Sequence, residues 1–439
     1  MVKLGKIKIP HEKNTVDLAA VKITSPATVT IPMSNNIGTV AVPCVKVGDK
    51  VCVGTKIANA DGDISAHVHS SVSGTVKKID AFLTSEGVSC PAIVIESDGE
   101  MTHDPDLKAP VANNINEFCE AIRESGLTDL GGASFPSAIK LEAENKGLIK
   151  KIIINAAECE PYVTADIRTM LEDTDHILKG VQLLEKFISA DEIIIGIDEN
   201  KSQVIAKMKE TFANDSKVRI EVLPNLYPQG EEKVIIYNTT GLVVPENGLA
   251  TDVGCVVINV NSVAFIGFYF ETGMPFVFKR LTVDGSAVKE PKNLIVPIGT
   301  PIADILNFTG GISEDLGKVL YDGPMKGVAI YNLNDPILKS TSAIIALTSA
   351  EAAPTVKYPC IHCGRCVNAC PMLLNPTAIS KAMRVEDKGD RHARLEAANI
   401  DICTECGCCS YVCPSRRPLG EVIKFAKAEL KLARANKIN

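Results

Sequence analysis

Eight cysteines near the C-terminus have the types and spacing for the most specific chemistry in this sequence. Cys360, Cys363, Cys366 and Cys370 read C-x2-C-x2-C-x3-C and are followed by Pro371. Cys403, Cys406, Cys409 and Cys413 repeat that spacing and are followed by Pro414. Three thiolates this close can hold three corners of an iron–sulfur cubane. The fourth, before proline, reaches across to the other cluster. The rule groups Cys360, Cys363 and Cys366 with Cys413, and Cys403, Cys406 and Cys409 with Cys370. Zinc asks instead for two separated Cys-x2-Cys hooks. Two [4Fe-4S] clusters are therefore expected, moving electrons one at a time. Cys408 falls outside the pattern and is expected not to ligate.

A second constellation lies upstream. Residues 126–140 read GLTDLGGASFPSAIK. Clustered glycines let backbone N–H groups approach a phosphate, and Lys140 adds charge. The apolar run at 151–155 ends in Asn155 and continues through Glu158, Cys159, Glu160 and Pro161. Open α/β sheets place ligands at such strand ends. Residues 227–232 (YPQGEE) and 256–261 (VVINVN) add two further polar segments.

These residues need elements to position them. A chain of 439 residues is long enough for several domains. Its 46% hydrophobic and 23% charged residues are those of an ordinary globular protein. A net charge of −7 gives no basic stripe for nucleic acid, and none is expected as a partner. The opening MVKLGKIKIPHEKN lacks the apolar stretch of a signal peptide, and cysteines at cluster spacing suit a reducing cytosol. No apolar run approaches the ~20 residues of a membrane helix, so any membrane contact is expected through a partner.

Residues 29–98 alternate short β-rich runs with turns at Gly48-Asp49, Gly54 and Gly74. The pattern resembles a lipoyl-type barrel sandwich. The turn 70–74 has no lysine to carry a swinging arm, so an unlipoylated structural or docking domain is expected. Cys44, Cys52 and Cys90 have no metal spacing and are expected to be small buried hydrophobes. Helical patterns at 116–124 and 169–187 alternate with strands at 151–155, 191–197 and 218–223, which implies a parallel α/β sheet. Residues 278–311 turn β-rich, 377–399 favour helix, and 421–437 form a closing amphipathic helix. The expected domains are 1–105, 110–270, 275–345 and 355–439.

In order, the four polar segments resemble the glycine loop, the N-A-x-E-x-E-P segment, the G-E-E segment and the Asn-bearing strand of the flavin-and-NADH subunit of respiratory complex I. The chain is more closely similar to the RnfC family of membrane ferredoxin:NAD oxidoreductases. It shares the domain order, ECEPY at 158–162 and SSVSG at 70–74. The resemblance covers nearly the whole chain. It implies a multidomain α/β plus β architecture: a barrel-sandwich hybrid, a Rossmann-like FMN-binding domain, an SLBB β-grasp domain and a helical dicluster ferredoxin-like domain. It implies FMN held by Gly131, Gly132, Lys140, Asn155 and Asn259. It also implies an NAD(H) site against Phe135, lined by Glu158, Glu160, Glu231 and Glu232, with Phe135 and Glu160 as its catalytic positions. No arginine cluster is present there to bind a 2′-phosphate, so NADH is expected over NADPH.

The implied partners are membrane Rnf subunits, with ferredoxin linked indirectly. The implied location is cytoplasmic, peripheral on the cytoplasmic face of the cell membrane. Two other assignments stand beside it. One is a soluble reductase partner of the methylenetetrahydrofolate-reductase or cobalamin-reductase type. The other is a non-enzymatic electron wire with a decayed flavin site. Asp129 and Ser134 stand where the family usually has glycine. An aspartate beside an FMN phosphate would repel it unless it turns to solvent or caps a helix. The family's N-terminal G-G-x-H-P is here KIKIPH at 6–11.

Overall fold

The computed structural model describes residues 4–84, 87, 89–131 and 134–438, with side chains through Arg434. At its centre is a four-stranded parallel sheet of Lys151–Ala156, Glu192–Asp198, Val218–Leu223 and Cys255–Asn259. Ile152, Ile153, Ile154, Ile193, Ile194 and Ile195 are fully buried, as strands covered on both faces require. Each such side chain contributes roughly 1.5–3 kcal/mol on leaving water. The Glu192–Asp198 and Val218–Leu223 strands lie successively to one side of Lys151–Ala156, and Cys255–Asn259 lies on the other. The order of strands therefore reverses between Lys151–Ala156 and Cys255–Asn259. Beyond the carboxyl ends at such a reversal, open sheets leave a ligand crevice.

The helix expected at 169–187 is two helices, Ala165–Glu172 and Thr174–Phe187, with the break at Asp173. Aspartate is a poor interior helix residue. Its carboxylate accepts a bond from Arg280, 2.7 Å away on the next module.

Ahead of this module, two small antiparallel sheets close over Val29, Ile31, Ile57, Val68, Val76, Ile93 and Ile95. The turn from Ser70 to Gly74 is buried, and Ser71 Oγ donates to the Ile298 carbonyl. A Cβ at Gly74 would overlap the Glu96 carbonyl oxygen, so this crossing requires glycine. The turn is a packing surface between modules. Cys90 is buried as expected, but Cys44 is exposed and Cys52 half-buried. Cys44 follows the edge strand Val42–Pro43, which is itself exposed on one side and offers no core.

After it comes a six-stranded mixed sheet. Phe278–Asp284 pairs antiparallel with Lys292–Pro297 and parallel with Ala343–Thr348, while Leu316–Tyr321 and Val328–Ile330 extend it. The far edge is supplied by Val21–Lys22, parallel to Leu294 and Ile295. Three modules meet at Lys339, which is 1% exposed. Its Nζ donates to the carbonyls of His67, at 2.7 Å, and Gly126, at 2.6 Å.

The last module is helical. Pro376–Ala382, Lys388–Ala397 and Leu419–Ile438 pack through Ile379, Leu395, Ile400, Ile423, Ala426 and Leu430. The closing helix thus has the packed apolar stripe expected of it.

Candidate functional site

The crevice at the strand reversal is framed by two asparagines. Asn155 and Asn259 are directly paired across the sheet. Asn155 Nδ2 donates to the Gly230 carbonyl at 2.8 Å, which draws the 227–232 segment onto the site. Asn259 caps the helix Val260–Thr272 by accepting from Asn261 N at 2.9 Å. Its Nδ2 donates to Asp166 Oδ2 at 3.0 Å. A Cβ on Gly131 would make ordinary contact with Asn259 Cβ, so the glycine loop lies over this strand end. Gly132 is outside the described residues.

Asp129 does not repel an anion here, because its charge is already taken. The buried carboxylate pairs with Lys140 and accepts from Asn259 N at 3.2 Å and Ser262 Oγ at 3.3 Å. It thereby ties the glycine loop to the start of a helix, where acidic groups are favoured. Lys140 also donates to the Val257 carbonyl at 3.1 Å and stands 3.7 Å from Glu232. Burial alone would lower the Lys140 pKa, but Asp129 and Glu232 outweigh it and raise the pKa. Ser134 has φ +48°, the left-handed conformation that explains why glycine is usual at this position. The hydroxyls of Thr128, Ser134 and Ser137 are buried with no hydrogen-bond partner among the described residues. Unpaired buried donors around a glycine loop, beside a lysine, fit the phosphate of a flavin nucleotide.

The acidic segment is more occupied than its sequence suggests. Glu158 accepts from Asp166 N at 2.8 Å, in the first turn of Ala165–Glu172. Burial pushes its pKa up to about 7, against the pull of Lys13. Glu160 accepts from Met325 N at 2.7 Å and Lys326 N at 3.2 Å, so it grips a loop of the third module. Glu231 caps the helix Glu232–Thr240 by accepting from Lys233 N at 2.9 Å. Burial raises the pKa values of Glu160 and Glu231. Glu232 faces Lys140, and Phe135 is half-buried.

Sequence reasoning missed several residues. Lys13 donates to the carbonyls of Glu158 at 3.1 Å, Glu160 at 2.8 Å and also Val163. Lys201 and Asp198 form a buried ion pair at 2.8 Å. Lys279, 2% exposed, has no hydrogen bond among the described residues. Burial lowers its pKa to about 8, while Asp166, Asp322 and Asp129 pull the other way. A lysine in a charged N-terminal stretch, or at the start of a strand, carries no local signal of such burial.

From the crevice a packed route leads to the cysteines. Tyr227, three residues before Gly230, packs with Met325, Cys159, Cys406 and Cys408. A Cβ at Gly407 would overlap the Met325 carbonyl. The segment 5–13 runs along the same seam. Gly5 touches the Cys370 carbonyl, Ile7 bridges to Tyr227, and Lys13 ends at the acidic segment. Cys370, Cys403, Cys406 and Cys409 lie close enough to influence one another electrostatically. Cys360, Cys363 and Cys366 line one cavity of about 100 Å³ together with Cys413. Both sets are those grouped by the crossed rule. Among the described residues no three side chains converge as tightly as a single metal ion needs, and the cysteines surround a volume instead. Cys363 is exposed, whereas Cys406 is buried under Tyr227. One end of the cysteine module therefore faces solvent and the other faces the crevice. Among the described residues no helix is long and apolar enough to cross a membrane.

Comparison with known proteins places names on these parts. The Nuo51 FMN-binding domain matches residues 122–267, and the RnfC barrel sandwich hybrid domain matches 3–100. An SLBB domain matches 280–329 and a 4Fe-4S dicluster domain 357–416. The chain is 41% identical over 360 residues to the RnfC-type subunit of the proton-translocating ferredoxin:NAD(+) oxidoreductase complex of Clostridium ljungdahlii, covering 81% of this chain and 78% of that one. It is 36% identical over 382 residues to the Na(+)-translocating counterpart of Acetobacterium woodii, covering 86% of both. A solved NAD+-reducing [NiFe]-hydrogenase in the air-oxidized state shares the fold, with a TM-score of 0.50 at 17% identity over 74% of this chain and 67% of that one. With its barrel sandwich, flavin domain, SLBB domain and dicluster domain in that order, the chain belongs to the RnfC family of ion-translocating ferredoxin:NAD oxidoreductase subunits.

Proposed function

We propose that this chain exchanges electrons between NAD(H), FMN and two [4Fe-4S] clusters, as the RnfC subunit of a ferredoxin:NAD oxidoreductase. The observation that carries the reading is the continuous packing from Asn155, through Gly230 and Tyr227, to Cys406. FMN supplies the conversion of a two-electron hydride into single electrons.

The chain's own residues have three tasks in this reading. Lys140, Gly131 and the unpaired hydroxyls of Thr128, Ser134 and Ser137 hold the phosphate end, while Asn155 and Asn259 shape the crevice beneath the ring. Phe135 forms the wall for the nicotinamide, and Glu232 accepts from ribose hydroxyls. Glu158 and Glu160 act as positioning residues, because each already accepts main-chain amides. The cluster of Cys403, Cys406, Cys409 and Cys370 receives electrons first. That of Cys360, Cys363, Cys366 and Cys413 passes them outward to the membrane subunits. The chain then sits as a peripheral subunit on the cytoplasmic face, with ferredoxin linked through the complex.

Anaerobic protein loaded with FMN and iron tests this. NADH should bleach first the flavin and then the clusters, and Phe135→Ala should slow that bleaching with FMN and iron content unchanged. Reduction by dithionite but never by NADH would end the NAD(H) assignment.

A further inference from the structure

Beside the outward-facing cysteines lies a groove of about 530 Å³, with Cys360 on its wall. Its lining includes Lys357, Tyr358, His362, Lys381, Arg384 and Arg417. Cys360 and His362 also line the cysteine cavity, so groove and cluster site share a wall. The chain as a whole carries a net charge of −7, yet residues 352–385 and 406–420 contain no aspartate or glutamate. Lys357, Lys381, Arg384 and Arg417 form no ion pair among the described residues. The one side-chain hydrogen bond of Arg417 goes to Ser380 Oγ at 3.3 Å. Elsewhere in the same module Arg391, Arg394, Lys427 and Arg434 are each paired with a carboxylate. Tyr358 is 55% exposed and Ile361 67% exposed at the rim. Unpaired cations around exposed apolar side chains are what an interface with an acidic partner uses.

We propose that this groove docks the acidic face of a one-electron carrier protein, bringing the carrier's redox centre against the exposed Cys363 edge. The proposal rests on the electron-transfer reading above and adds the place and charge of the exchange. One electron crosses, oxidising the carrier by one and reducing one cluster by one, or the reverse, and no atom is transferred. The competing role for the cations is to offset the negative charge of the cysteinates and so set the cluster potential.

An acidic flavodoxin is a suitable probe, because its hydroquinone loses one electron to give a coloured semiquinone. Binding of oxidised flavodoxin to the anaerobic holoprotein is measured by titration calorimetry at two salt concentrations. Electron transfer from the hydroquinone is followed by semiquinone absorbance. The expected result is wild-type binding that weakens with salt, and a loss of roughly tenfold or more in affinity in Lys381→Glu/Arg384→Glu. Transfer should slow in parallel, while iron content, NADH bleaching and the cluster potentials measured by EPR-monitored titration stay unchanged. The milder Lys381→Gln/Arg384→Gln should fall between. Equal binding by wild type and variants, no binding by wild type, or shifted potentials with binding intact would each overturn the docking site. A protein that bleaches with NADH but ignores flavodoxin sinks the docking site alone, whereas failure to bleach sinks the reading beneath it.

Discussion

The hydroxyl of Tyr227 donates a hydrogen bond to the main-chain carbonyl of Cys406, 2.7 Å away, joining the flavin module to the cysteine module. Tyr227 is 2% exposed, so removing the hydroxyl leaves that carbonyl unpaired in a dry seam. A neutral hydrogen bond contributes about 1 kcal/mol net, which corresponds to roughly fivefold in an opening equilibrium. Tyr227→Phe should therefore release iron to a chelator about fivefold faster from the Cys406 cluster. The outer cluster should be unaffected, and equal release from both would remove Tyr227 from this role.

Crossed ligation makes a matched pair of expectations. Cys413→Ala should damage the cluster of Cys360, Cys363 and Cys366. Cys370→Ala should damage that of Cys403, Cys406 and Cys409. The two lesions should be distinguishable by EPR. Cys408→Ser should retain about eight iron atoms per chain, four for each cubane. Two zinc ions without inorganic sulfide would contradict the whole assignment.

Asp129→Gly would restore the glycine usual in the family, but the structure argues that it should weaken flavin retention. The substitution strips a partner from Lys140 and releases Asn259 N and Ser262 Oγ. Breaking a buried ion pair from one side typically costs about 3–5 kcal/mol. Lys140→Ala should also weaken FMN, through a lost phosphate contact of about 1.5–3 kcal/mol. Equilibrium dialysis of FMN against each variant measures both, and tighter binding by Asp129→Gly would show that the pair is dispensable.

Lys339 should make stability depend on pH. Burial lowers its pKa from 10.5 to about 7. The unfolded chain binds the proton more readily between those values, so this contribution to stability is full above pH 10.5 and is lost as pH falls toward 7. A neutral amine keeps two N–H groups, matching the two carbonyls it holds. Melting curves of wild type and Lys339→Met at several pH values isolate the effect. The wild type should lose stability relative to the variant as pH falls from 10.5 to about 7, and a constant difference would refute it.

The strands of the flavin module were legible because runs of isoleucine and valine bounded by turns have few alternatives. The pairing of Asn155 with Asn259 was legible as two polar residues ending apolar strands. The work done by Glu158 and Glu160 was not. Their partners, Asp166 N and Met325 N, are main-chain groups that every residue possesses, and the second lies far away along the chain. Asp129 read as a repulsive charge because a sequence shows the carboxylate and not the geometry that pairs it with Lys140. Ser134 was legible as a departure from glycine, while its cost appears only in its positive φ. Lys339 gave no sign at all, since one lysine among many looks like solvent-facing charge until three modules close over it.

The segment 5–13 leaves the ribosome long before Tyr227 and Cys370, the residues it rests against. Its seat is absent until the cysteine module has been made, and that module needs its inorganic cofactors to set. During translation, and under iron starvation, the segment is left without a seat, an exposed handle for proteases on every immature chain. Buried once metallation is complete, it makes survival in the cell a report on whether the iron arrived.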